Sequence, residues 1–163
     1  MYRFLLTCFA FGAASLLLIG GLTTSFWAST VEGSGASIGL GAIRQCTAAG
    51  CLQTGLEAFA TSPGWVRAGA ASYAAALMAG GLLLALAVTA ATGTVRRLLV
   101  RTTCVALACA GVCALIFIGL APELVNMRPG YSMIAYFAGM AAALVAVLMA
   151  RAQVVAPAPA AAP

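Results

Sequence analysis

The chain has 163 residues, of which 64% are hydrophobic and only 7% charged, and its mean hydropathy is +1.09. A soluble domain carries roughly a quarter charged residues, so this composition belongs in a bilayer. The charges are eight Arg and three Glu, with no Lys, Asp or His, which excludes a His-ligated haem or metal and a Ser-His-Asp triad. The net charge of +5 does not imply nucleic acid, because the arginines are dispersed around apolar segments and form no patch.

A membrane-spanning helix needs about 20 mostly apolar residues. The first such stretch is 4–24, preceded by Arg3. It exceeds the ~7–15-residue apolar core of a signal peptide, and no A-x-A cleavage site follows it closely. The nearest small-residue site, Ser34-Gly35-Ala36, lies far downstream. A retained helix is expected.

Residues 25–66 follow, an outer loop of 42 residues. That is far longer than a connection needs, so the loop is expected to fold. Its Gly/Ser-rich part, 31–37, predicts a turn. On either side, 25–30, 38–46 and 51–59 predict strands, with Gly39 and Gly41 weakening the middle one as bulges. Ile38, Leu40 and Ala42 would then share one face. Cys46 and Cys51 flank Thr47-Ala48-Ala49-Gly50, a spacing that suits a hairpin loop with Gly50 free to take positive φ. In an oxidising compartment a disulfide is the default for this pair. The closed loop is short, so it would stabilise by only about 2 kcal/mol. The C-x-x-C spacing of redox motifs is absent.

The second span is 68–91. An inner connector, 92–101, carries Arg96, Arg97 and Arg101. The third span is 102–121, a second outer loop is 122–130, and the fourth span is 131–150. No span contains an internal charge. The four-span domain covers 1–151, and the Ala/Pro-rich tail, 152–163, reads as disordered or polyproline-like. With both termini cytoplasmic, Arg3, Arg96, Arg97, Arg101 and Arg151 are inside, while Arg44, Arg67 and Arg128 are outside with all three Glu. The positive-inside rule favours this orientation, in a plasma or inner membrane. The predicted fold is an all-α membrane bundle of four helices with a small antiparallel β-sheet in the first outer loop.

Lipid gives helices no hydrophobic reason to associate, so small residues at four-residue spacing must let backbones approach. The fourth span offers Ala135, Gly139 and Ala143, and the third Ala106, Ala110 and Ala114. The first offers Gly12, Gly20 and Gly21, and the second Gly80 and Gly81. Most of them are expected to face the bundle interior. Cys8, Cys104, Cys109 and Cys113 fall within the spans. They read as small packing residues in preference to metal, redox or acylation sites, Cys8 being a weak palmitoylation candidate.

Trp27 and Trp65 close the two ends of the outer loop, at the interfacial level where Trp is favoured. Four spans, both ends inside, and a long first outer loop holding a Trp, then Gly-Leu, then two Cys together resemble the claudin, peripheral myelin and epithelial membrane protein superfamily of tetraspan proteins. Trp27 matches that pattern's first Trp, Gly39-Leu40 its Gly-Leu, Cys46 and Cys51 its paired cysteines, and Arg67 the Arg that opens its second span. Gly41 stands where the family has a second Trp, and the interval between the cysteines is shorter than the family's. The resemblance implies a small antiparallel sheet above the bundle with Trp at the sheet–membrane boundary.

The inventory predicts no enzyme, cofactor or metal. It points to a non-catalytic membrane subunit or adhesion-type module that acts by contact through its outer loop. Its partners would be the lipid bilayer and, laterally, other membrane proteins or a second copy, with no nucleic acid. A thiol oxidoreductase of the DsbB or VKOR type is the alternative, but the second outer loop supplies no partner cysteines. An oligomeric pore is the other alternative. Glu32, Arg44, Glu57 and Arg67 would line it, yet they sum to zero charge and imply no ion selectivity.

Overall fold

A computed structural model describes residues 1–31, 34–58, 63–121 and 127–155. Glu32, Glu123 and the tail from 156 onward lie outside the described residues.

Four helices, α1 (Tyr2–Leu22), α2 (Pro63–Thr92), α3 (Arg97–Gly119) and α4 (Tyr131–Val155), dominate the fold. Each is long and apolar enough to cross a membrane. The predicted spans are all present, but α2 and α3 start five residues earlier, and α4 runs five residues further. The added turns carry Arg67, Arg101 and Arg151. An apolar run ends at such charges, whereas helical hydrogen bonding does not. Pro63 opens α2, where its missing N–H costs nothing and its φ is already helical. At 30 residues α2 is about 45 Å long, against a hydrocarbon core of about 30 Å.

Helix α1 packs against both α2 and α4, and α2 packs against α3, while α3 and α4 meet much less. The adjacent glycines of α1 serve its two neighbours separately. A Cβ at Gly20 would stand 2.6 Å from the Tyr136 backbone nitrogen of α4, and one at Gly21 would stand 3.0 Å from Ala76 of α2. On α2, Gly80 meets Leu18 of α1. On α4, Gly139 faces the backbone of α1, where a Cβ would lie 2.8 Å from the Leu17 nitrogen. Ala143 beside it is buried, and Ala135 is half-buried. Ala106, Ala110 and Ala114 are buried on α3, where the Tyr136 hydroxyl donates to the Ala110 carbonyl at 3.0 Å. Two of these glycines are exceptions and are not packed: a Cβ at Gly12 or Gly81 meets nothing within 4 Å. Gly80 is turned toward Leu18 of α1, and consecutive helical residues lie about 100° apart, so Gly81 is turned away from that contact. Cys8, Cys104 and Cys109 are exposed on the bundle's outer surface, and Cys113 is half-buried, so only Cys113 fits the expected packing role.

The segment after α1 folds into four antiparallel strands, β1 (Trp27–Val31), β2 (Ser34–Ile38), β3 (Ala42–Thr47) and β4 (Gly50–Gly55), followed by a 3-10 turn, Leu56–Ala58. A fifth strand, β5 (Arg128–Pro129), comes from the connection before α4, and the sheet order is β4-β3-β2-β1-β5. Three expectations are corrected. Ser34–Ile38 is a strand, although its Gly and Ser residues suggested a turn; pairing on both sides holds it in place. The stretch 38–46 is two strands broken at Gly39-Leu40-Gly41, where the Gly39 N–H donates to the Ala42 carbonyl at 2.8 Å. The break resets the side-chain alternation, so Ile38, Leu40 and Ile43 are buried while Ala42 is only half-buried. The last strand ends at Gly55 and does not reach 59.

Candidate functional site: the sheet and its aromatic seat

The sheet stands on one end of the bundle, and large aromatic side chains fill the junction. Phe26 comes from just before β1 and Trp27 from its first position, Trp65 from the first turn of α2, Phe117 from the end of α3, and Tyr136 from α4. All five are buried. The Phe26 ring lies at the centre, with its centroid 5.3 Å from Trp27, 6.1 Å from Phe117 and 5.9 Å from Tyr136, each edge-on. These are the spacings at which the positive edge of one ring meets the negative face of another. Trp27 tilts against Phe117 at 5.2 Å, and Trp65 stacks on the same ring. Both tryptophans therefore face protein and do not form an exposed interfacial belt. The Trp65 indole N–H is buried without an acceptor among the described residues.

The Gly39-Leu40-Gly41 turn supplies the second anchor. Gly39 passes so near the end of α1 that a Cβ would stand 2.6 Å from the Thr23 carbonyl oxygen. Leu40 is fully buried. Its carbonyl oxygen would lie 2.5 Å from a Cβ at Gly69 on α2, a position that also faces Leu56 and Phe117. Only glycine allows this approach of turn and helix. Gly69 was not singled out in the sequence, although a glycine at the second position of the span 68–91 is the signal that could have found it. Gly130 makes the third anchor: its N–H donates to the Phe26 carbonyl at 2.9 Å, and a Cβ there would collide with the Ser25 carbonyl oxygen.

Above these anchors the sheet is open. Cys46 and Cys51 face each other across β3 and β4 and form a disulfide, with Cα atoms 4.0 Å apart. The loop they close turns at Ala48-Ala49, and Gly50 takes φ of +141°. The Ala49 N–H donates to the Thr47 hydroxyl at 3.3 Å. Strand β4 forms one edge of the sheet and is exposed except at half-buried Thr54; Leu52 is 65% exposed. Arg44, Gln53 and Glu57 are exposed on this end of the molecule. Arg67 is exposed on the first turns of α2, outside the aromatic junction.

The sheet thus brings together Trp27, Gly39 and Leu40, places the Cys46–Cys51 bond at its far corner, and leaves Arg67 apart. The helix-packing residues Ala135, Gly139 and Ala143 lie on α4 below it. Among the described residues no group of three Cys or Glu side chains could hold a metal ion. No protein-family model matches the chain, and no curated protein matches it.

Proposed function

We propose that the protein is a non-enzymatic integral membrane subunit that works by contact, through the sheet on its outer side and a small-residue helix face within the bilayer. The observation that carries this reading is the contrast between the two sides of the sheet. Its lower side is anchored to all four helices by close backbone approaches and buried aromatics, whereas β4 is an edge strand with no outer partner among the described residues and with Leu52 exposed on it. A rigid platform with one open strand edge suits recognition by strand addition or side-chain contact.

The orientation follows from charge. Arg3, Arg96, Arg97, Arg101 and Arg151 belong to the end opposite the sheet, which makes that end cytoplasmic and the sheet extracytoplasmic. The disulfide is in keeping with an oxidising outer compartment. A small antiparallel sheet seated on four helices, with Trp27 at the junction, also agrees with the claudin-like resemblance. That resemblance supports the architecture and an interaction role, and it names no partner.

The test is affinity purification of the full chain in mild detergent, comparing the wild type with Leu52→Glu. Loss of a co-purifying protein, or of self-association, in that variant supports the reading. Turnover of a substrate or conduction of ions by the purified protein alone in liposomes would show it to be wrong. A change in cellular thiol oxidation on Cys46→Ser, with protein stability unaltered, would favour the oxidoreductase alternative.

A further inference from the structure

At the end opposite the sheet, α3 and α4 part. Between them runs a groove of about 550 Å³. Arg97 and Arg101 of α3 are four residues apart and so share one face. Arg151 of α4 stands across from them, and all three line the groove and are exposed. Among the described residues no carboxylate lines it. Glu57, the one glutamate among the described residues, is at the sheet end.

The rest of the groove is apolar. Val100 is buried at 4% exposure, and Cys104 and Val105 continue along α3 toward the middle of the helix. Val154 closes the α4 side and also borders a smaller cavity of about 170 Å³ that holds Arg3. The site therefore has a cationic mouth at the helix ends and an open apolar channel along the outer face of the helices, with Val100 as its buried floor and the exposed Cys104 and Val105 as its wall. The positive-inside rule accounts for arginines at this end. It does not require arginines from two helices to converge on one groove, nor the groove to continue as apolar surface.

Guanidinium groups match phosphate oxygens in a bidentate fork. A free anion would use the mouth and leave the channel empty, and a neutral acyl chain would do the reverse. Basic pockets between membrane helices on the cytoplasmic side are where anionic headgroups bind. We propose that this groove holds one anionic glycerophospholipid, with its phosphate among Arg97, Arg101 and Arg151 and an acyl chain along Cys104 and Val105. The proposal rests on the membrane reading above.

The test uses the full chain purified in mild detergent, titrated with phosphatidylglycerol or phosphatidylcholine and read by native mass spectrometry. One phosphatidylglycerol should be retained in preference to phosphatidylcholine, and millimolar inorganic phosphate should not displace it. Each arginine lost should weaken retention about fivefold, so Arg97→Gln with Arg151→Gln should lower it roughly 25-fold. Arg97→Lys with Arg151→Lys keeps the charge, and hence the orientation, and should lower retention by a smaller factor. Val105→Trp keeps all three arginines but fills the channel and should also lower it. Equal retention of the two lipids would overturn the proposal, as would retention unchanged in the Gln pair and in Val105→Trp. Displacement by inorganic phosphate would make this an anion site only. A co-purifying protein lost with the same substitutions would make it a protein interface. Release of the chain from membranes by alkaline carbonate would count against the membrane reading itself, whereas a chain that stays with membranes but fails the lipid comparison counts against the groove alone.

Discussion

The indole of Trp65 lies flat on the ring of Phe117, with centroids 5.1 Å apart and planes within 3° of parallel. Every other aromatic contact at the junction is tilted or edge-on. This stack joins the start of α2 to the end of α3, directly beneath the turn that carries Leu40. It is therefore both a helix–helix contact and part of the floor on which the sheet rests.

Trp65→Ala should destabilise the protein by about 3–5 kcal/mol, the usual cost of emptying a large aromatic site. Trp65→Phe keeps a stacked ring and removes an indole N–H that has no acceptor among the described residues. It should cost clearly less than the alanine variant, since removing an unsatisfied buried donor relieves its desolvation penalty of about 1–3 kcal/mol. Denaturation in detergent, followed by tryptophan-independent circular dichroism, gives both values. Equal losses for the two variants would show that the indole shape, and not the stacked ring, is what matters.

Substitution at Gly69 should loosen the sheet while sparing the helices. A Cβ there meets the Leu40 carbonyl, Leu56 and Phe117 at 2.5–2.9 Å, and the Leu40 carbonyl belongs to the backbone of an anchored turn. Gly69→Ala should cost about 1–3 kcal/mol, the range for overpacking. It should also raise protease sensitivity within the sheet while the helical circular dichroism stays unchanged.

Gly139 and Gly81 form a matched pair for testing the bundle. Both are helical glycines in apolar surroundings, yet only Gly139 meets a neighbouring backbone, while Gly81 meets nothing within 4 Å. Gly139→Leu should destabilise by at least about 1–3 kcal/mol. Gly81→Leu should be neutral, or slightly favourable because glycine is a poor helix former by about 1 kcal/mol. Thermal unfolding in detergent compares them directly.

The Cys46–Cys51 bond should be found intact by non-reducing mass spectrometry of protein taken from membranes, with Cys8, Cys104, Cys109 and Cys113 unpaired. Replacing both cysteines by Ser should cost roughly 2 kcal/mol locally, given the short loop. Faster hydrogen exchange should be confined to β3 and β4.

Orientation is tested in a background without native cysteines. A Cys placed at Ala49, exposed in the hairpin turn, should react with a membrane-impermeant thiol reagent in intact cells, and one at Thr94 should not. Labelling at Thr94 would reverse the proposed orientation.

The helices were legible in the sequence because each depends on the composition of a single continuous stretch. The hairpin around Gly50 was legible for a similar reason, since two cysteines and a glycine fix a turn locally. The remainder of the sheet depends on partners distant in the chain. Ser-Gly-Ala-Ser-Ile has no hydrophobic alternation, and only its position between β1 and β3 makes it a strand. Arg128-Pro129 is two residues long and carries no strand signal, yet it pairs with Ala28 and Trp27. Trp27, Gly39 and Leu40 were singled out on a motif, and the structure gives them a physical task at the junction. Gly69 and Phe117, which receive them, belong to spans whose apolar character hid their role.

Strand β5 has a bearing on biogenesis. It is the last strand to leave the ribosome, and it pairs with β1, the first. The cysteine hairpin spans five positions and can oxidise as soon as it emerges, but the sheet gains its fifth strand only after α3 has been made and α4 has begun. Until then the outer edge of β1 at Trp27 and Ala28 is bare of the partner that Arg128-Pro129 supplies in the finished molecule. An incomplete or truncated chain therefore differs from a complete one by an open strand edge, which gives quality-control machinery a feature by which to tell the two apart.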